Sequence, residues 1–165
     1  MKYATIIRHA KSARPAATGD HERPLDARGQ RDAPRMGALL QARFPVPDVL
    51  LASTALRVQQ TVAALAEGGM SGLSDAVETH EQLYLAESEV IWDFLASALM
   101  EHDDVWLVAH NPGVTDAVEL LSGARLEAMP TLAVARIAFE EVAYDTPGGT
   151  LVHYDTPAAH RVLLH

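Results

Sequence analysis

Tyr3-Ala4-Thr5-Ile6-Ile7 is a short run of apolar and β-branched residues that stops at Arg8-His9. It reads as a strand with two polar side chains at its carboxyl end. Two more runs repeat the pattern: residues 49–52 end before Ser53-Thr54, and residues 105–109 end at His110. Between them lie stretches with apolar residues at helical spacing, so strands and helices alternate along the chain. That alternation predicts an α/β layer fold around a mostly parallel sheet.

Local start and stop signals support the helices. Asp26-Ala27-Arg28-Gly29 begins one that runs through Met36, Leu39, Leu40 and Phe44, and Pro45 with Pro47 closes it. Ser53 or Thr54 caps the next, which has Leu56, Val62 and Leu65 on its apolar face and Gly68-Gly69 as its stop. Residues 70–79 read as a loop and a weak strand, and residues 88–100 as a helix capped by Ser88. Asn111-Pro112-Gly113 predicts a further helix, with Asn111 as cap and Pro112 at the first helical position. Residues 131–139 and 150–154 complete the sheet on either side of the turn Pro147-Gly148-Gly149. No repeat or linker divides the chain, so residues 1–165 are expected to form a single domain.

With 165 residues, 48% apolar and 21% charged, the chain has the composition of an ordinary globular domain. It contains no cysteine, which excludes thiolate chemistry, cysteine-ligated zinc and iron–sulfur clusters. The opening MKYATIIRHAKS lacks the long apolar segment of a signal peptide, and no apolar stretch approaches the length of a membrane span. A cytoplasmic location is expected, and the net charge of -9 disfavours nucleic acid and anionic membrane as partners. The charge is uneven, +5 over residues 1–60 and -14 over residues 61–165, so an anion site would draw its cations mostly from the first third.

Arg8-His9 and His110 stand at the carboxyl ends of two strands, where open α/β sheets gather their ligand sites. Each alone reads as a strand that ends in polar residues; together, in a sheet that brings such ends side by side, they make a candidate site. Arg57 places a cation in the first turn of a helix, against the helix dipole, at a cost of roughly 0.3–1 kcal/mol that a bound anion would offset. Two guanidiniums, two imidazoles and the N–H groups of the helix after Pro112 suit a phosphoryl group, with one imidazole as nucleophile. The remaining histidines form no ligand cluster, so neither a metal nor an organic cofactor is expected.

Arg8-His9-Ala10-Lys11-Ser12 resembles the signature of the histidine phosphatase superfamily, which also includes the cofactor-dependent phosphoglycerate mutases. Ser53-Thr54-Ala55-Leu56-Arg57 with Gln60-Thr61 resembles its second motif, and Val108-Ala109-His110-Asn111-Pro112-Gly113 its third. The Arg23-Pro24-Leu25 segment with Gly29, the Met129-Pro130-Thr131 stretch and the small size point, within that superfamily, to phosphohistidine phosphatases of the SixA type. The resemblance implies a three-layer α/β/α sandwich of the phosphoglycerate mutase type without a large lid insertion. It implies that His9 attacks phosphorus and becomes phosphorylated, that Arg8, Arg57 and His110 hold the phosphoryl oxygens, and that the protein serves signal transduction. For that chemistry His9 must be neutral while His110 works best protonated, so the two rings are expected to differ in pKa. Arg23 either reaches the phosphate from the following loop or is a surface arginine, and Asn111 is a further candidate phosphate ligand.

The chain departs from the superfamily pattern in lacking an unambiguous acidic residue after the second motif. Glu81 is the nearest candidate for the general acid, the alternative being a solvated carboxylate. Without a strong acid, phosphate esters are penalised because their alkoxide leaves badly, whereas a phosphohistidine whose ring is protonated leaves as a neutral imidazole. The short stretch between Arg57 and His110 predicts an open site suited to a phosphorylated side chain on a partner protein. A phosphatase of small phosphate esters and a non-catalytic phosphate- or phosphoprotein-binding module are the competing readings.

Overall fold

The computed structural model describes residues 1–14, 17 and 19–164. In chain order its elements are β1 (Lys2–Arg8), α1 (Ala27–Arg43), β2 (Val49–Ser53), α2 (Leu56–Glu67), α3 (Leu73–Ala76) and β3 (Val77–His80). They continue with α4 (Ser88–Glu101), β4 (Asp104–Ala109), α5 (Gly113–Ser122), β5 (Val134–Phe139) and β6 (Thr150–Asp155). The strands form one sheet in the order β3-β2-β4-β1-β5-β6. The first four of these run parallel, and β5 and β6 complete the sheet antiparallel.

Both faces of the sheet are covered, which is why its inner strands read as continuous apolar runs rather than as alternating ones. Ala4, Ile6, Val105, Leu107 and Ala109 pack with α4 and α5 on one face. Ile7, Leu50, Ala52, Trp106 and Val108 pack with α1 and α2 on the other. The architecture is therefore the expected three-layer α/β/α sandwich. Close approach of the layers depends on missing side chains: a Cβ at Gly37 would meet the Leu65 carbonyl oxygen at 2.2 Å, and one at Gly29 the Lys11 carbonyl oxygen at 2.1 Å. The second contact seats the loop after β1 directly on the first turn of α1. Asp26 caps that turn as expected, its carboxylate accepting from the Gly29 N–H at 2.9 Å.

Other boundaries differ from the sequence reading, for local reasons. Ser53 and Thr54 do not cap α2; Ala55 holds the cap position. The Ser53 hydroxyl, at the end of β2, faces His110, and the Thr54 hydroxyl bonds His21. Ser88 is the first helical residue of α4 behind Glu87, and Pro112, not Asn111, precedes α5. Residues 131–133 lie outside β5, because Leu132 adopts a left-handed φ of 62° that aims its N–H at the carbonyls of Arg8 and His9. The segment Pro157–Leu164, to which the sequence reading assigns no element, is a 3-10 helix. No helix among the described residues is long and apolar enough to cross a membrane.

Candidate active site

β1 lies beside β4, not beside its sequence neighbour β2, and Arg8 is in register with Ala109. That pairing sets the residues that follow the two strands next to each other: the rings of His9 and His110 are 5.4 Å apart between centroids. Arg57 extends from the first turn of α2 across both rings and is 2% exposed. Its Nε donates toward His9 Nε2 at 3.4 Å and its NH2 toward His110 Nδ1 at 3.2 Å. One turn later Thr61 accepts from the Ala10 N–H at 3.0 Å and donates to the Arg57 carbonyl at 2.7 Å. The hydroxyl thus ties the loop after β1 to the helix that carries Arg57.

Hydrogen bonds assign the tautomers. His9 Nδ1 lies 2.7 Å from the Ala10 carbonyl, an acceptor only, so Nδ1 carries the proton and Nε2 keeps its lone pair. His110 is the mirror case: Nδ1 accepts from Arg57, and Nε2 donates to the Ser53 hydroxyl at 2.8 Å. Burial lowers the pKa of His9 to about 4, with the Arg57 and Arg8 charges adding to the effect against an opposing hydrogen bond to Ala10. Burial also lowers His110, to about 3, with His9 and Arg57 as the next contributors. The expected contrast between the rings is therefore corrected: both are neutral at neutral pH, because the same desolvation and the same guanidinium act on both. His110 can donate from Nδ1 only after a proton arrives with an anion.

Arg8 donates from NH1 to the Met129 carbonyl at 2.8 Å, and its buried Nε has no hydrogen-bond partner among the described residues. Asn111 turns its amide to the same carbonyl at 2.9 Å and accepts from the Thr115 hydroxyl at 2.8 Å, so it braces the cavity wall. Arg23 does face the cavity, held by the Ser12 hydroxyl at 2.9 Å, the Ala13 carbonyl at 2.8 Å and Asp20. Arg8, His9, Arg23, Arg57, His110 and Asn111 all line one cavity of about 400 Å³. A larger cavity of about 850 Å³ lies at the opposite end of the strands, where the Arg136 guanidinium is already paired with Asp104. Size does not outweigh the convergence of three guanidiniums, one of them with an unpartnered Nε, on two imidazoles.

Glu81 is an exposed residue on a 3-10 turn and does not line this cavity. The proposed acid position is corrected accordingly. Among the described residues the carboxylate that does line it is Asp20, which sequence reasoning missed; Tyr84 backs it. The Tyr84 hydroxyl donates to Asp20, and its ring stands edge-on to His110 at 5.4 Å. The hydrogen bond from Tyr84 and then the Arg57 charge hold the Asp20 carboxyl well below the usual carboxylate range. A weak signal for Asp20 was available: it precedes Arg23 by three residues, the spacing of their 3.0 Å ion pair.

A family model of the histidine phosphatase superfamily (branch 1) matches residues 4–86. An uncharacterized protein of Mycobacterium tuberculosis is 35% identical over 106 residues, 64% of this chain, and the match spans 63% of that relative's length. A solved structure from Agrobacterium tumefaciens, described as a candidate phosphohistidine phosphatase SixA, shares 27% identity. It superposes with a TM-score of 0.82 over 94% of this chain and 98% of that one. A protein histidine phosphatase SixA complexed with tungstate shares the fold, with a TM-score of 0.82 at 22% identity over 96% of this chain and 99% of that one.

Proposed function

The chain belongs to the histidine phosphatase superfamily, and from that premise we propose that it hydrolyses phosphohistidine on a partner protein through a phosphorylated intermediate on His9. The observation that carries this reading is the state of His9. Its Nδ1 proton is committed to the Ala10 carbonyl, which leaves Nε2 as a lone pair under the Arg57 guanidinium.

The reaction is two in-line displacements. His9 Nε2 attacks phosphorus as the bond from phosphorus to the substrate imidazole breaks, and that imidazole, protonated on its ring, leaves neutral. Water then attacks the phosphorylated His9; its proton passes to the departing phosphate, and His9 Nε2 regains its lone pair. Charge on the equatorial oxygens is met by Arg57, by the unpartnered Nε of Arg8 and by His110 once protonated at Nδ1. In support, the Agrobacterium structure with this fold is described as a candidate phosphohistidine phosphatase and the tungstate complex as a protein histidine phosphatase.

A phosphohistidine substrate is favoured over an ester by the ionised state of Asp20 and by a cavity lining without Glu81, which among the described residues leave no carboxylic acid to protonate an alkoxide. The rim also presents groups for a protein surface: Lys11 and Arg14 are exposed, and Leu85 is 55% exposed on a left-handed backbone with φ of 53°. Phosphate release from a phosphorylated histidine protein, run beside a generic aryl phosphate, tests the reading. Faster release from the phosphohistidine is expected; release from the ester alone means a small-ester phosphatase, and release from neither means a binding module.

The pH profile follows from the nucleophile. Attack requires unprotonated Nε2, and His9 titrates at about 4 instead of 6.5. The acid form therefore accumulates only well below neutrality, so kcat/KM should rise from about pH 7 toward about 5 as the substrate ring gains its proton and fall as pH approaches 4. Loss of activity on acidification centred near the ordinary histidine value would contradict the buried, cation-flanked environment of His9.

A further inference from the structure

Asp20 puts a negative charge where a phosphoryl group has to bind. Its Oδ2 is 3.1 Å from Arg57 NH2, and its Oδ1 is 3.0 Å from Arg23 Nε. Its backbone carbonyl accepts from Arg57 NH1 at 2.8 Å, and Tyr84 adds a hydroxyl donor to the carboxylate. One carboxylate thus bridges the guanidinium of Arg57 on α2 and that of Arg23 in its own loop, as two oxygens of a phosphoryl group would. The two sides of the bridge differ in burial: the Arg57 side chain is 2% exposed, and that of Asp20 is 43% exposed.

The geometry points to Asp20 as a displaceable anion that competes with phosphate for Arg57 and Arg23, and so determines which phosphoryl ligands the site retains. The inference rests on the phosphoryl site proposed above and adds a selectivity device to it. An incoming dianion has to break the contacts of Asp20 with both guanidiniums or accept a like charge beside it. That penalty is common to every phosphoryl ligand. It weighs most on inorganic phosphate and small esters, which hold on through the phosphoryl group alone. A phosphorylated protein offsets it with contacts at the rim, where Lys11, Arg14 and Leu85 are exposed. Return of Asp20 to Arg57 also helps expel the phosphate product.

The test is the dissociation constant of inorganic phosphate, measured by calorimetry at neutral pH and fixed ionic strength, for the wild type, Asp20→Asn and Glu22→Gln. Glu22 lies in the same loop, and its carboxylate contacts His21 but neither arginine. Asp20→Asn is expected to bind phosphate about tenfold more tightly, with Glu22→Gln within about twofold of the wild type. The KM for an aryl phosphate should fall in Asp20→Asn by more than the KM for a phosphohistidine protein. Damage to the loop would weaken phosphate binding, so tightening separates competition from a structural role. Unchanged or weaker binding in Asp20→Asn, or an equal gain in Glu22→Gln, overturns the inference while wild-type binding and turnover keep the phosphatase reading intact. A wild type that neither binds phosphate nor releases it from phosphohistidine overturns both.

Discussion

Replacing His9 with Ala should lower phosphate release by about 10⁴-fold or more, the scale on which enzymes lose rate when the covalent nucleophile is deleted. The expectation is this severe because no neighbour can take over. The other ring in the cavity, His110, commits Nδ1 to Arg57 and Nε2 to Ser53. Its pKa, at about 3, is lower still than that of His9. Inorganic phosphate should still bind, since Arg8, Arg23 and Arg57 remain. The check is steady-state release from a phosphohistidine protein beside phosphate affinity; loss of both together would mean that His9 supports the cavity rather than the chemistry.

Arg57→Ala should reduce kcat/KM by roughly 10³-fold, somewhat above the loss from deleting one neutral oxyanion donor, because a buried charge goes with it. Arg57 is the hub of the cavity: it spans His9, His110 and both the carbonyl and the carboxylate of Asp20. Arg57→Lys should recover only a small part, since an ammonium cannot present a planar fork to two oxygens while keeping these contacts. The same substitution to Ala removes a cation that lowers the pKa of both histidines, so their titrations should move up together. Kinetics with NMR titration of the two rings decides it. A tenfold or smaller loss in kcat/KM would show that Arg57 is a structural bridge to Asp20 and no more.

The parts of this account that the sequence discloses are those written into local pattern. β1, β2 and β4 are unbroken apolar runs because both faces of the sheet are covered. The polar residues that end two of these runs mark the carboxyl edge on which the cavity opens. Strand order is not a local property: nothing in residues 3–9 announces that β1 will pair with β4, yet that pairing is what brings His9 to His110. Ser53 and Thr54 have the chemistry of helix caps, and tertiary contacts with His110 and His21 claimed their hydroxyls instead. Glu81 is the nearest candidate for the acid by position, but the 3-10 turn that carries it leaves it exposed, while Tyr84, three residues on, packs edge-on to His110. Asp20 lies 37 residues from Arg57 in a polar loop, and only folding shows that the two meet.

The central claim is a covalent bond between phosphorus and His9. Brief reaction with a radiolabelled phosphohistidine protein, followed by an alkaline quench and peptide mapping, tests it most directly. The account predicts transient label on the peptide that holds Arg8-His9-Ala10, stable in alkali, lost in acid and absent from His9→Ala. Turnover without protein-bound label, or label on any other residue, would contradict it.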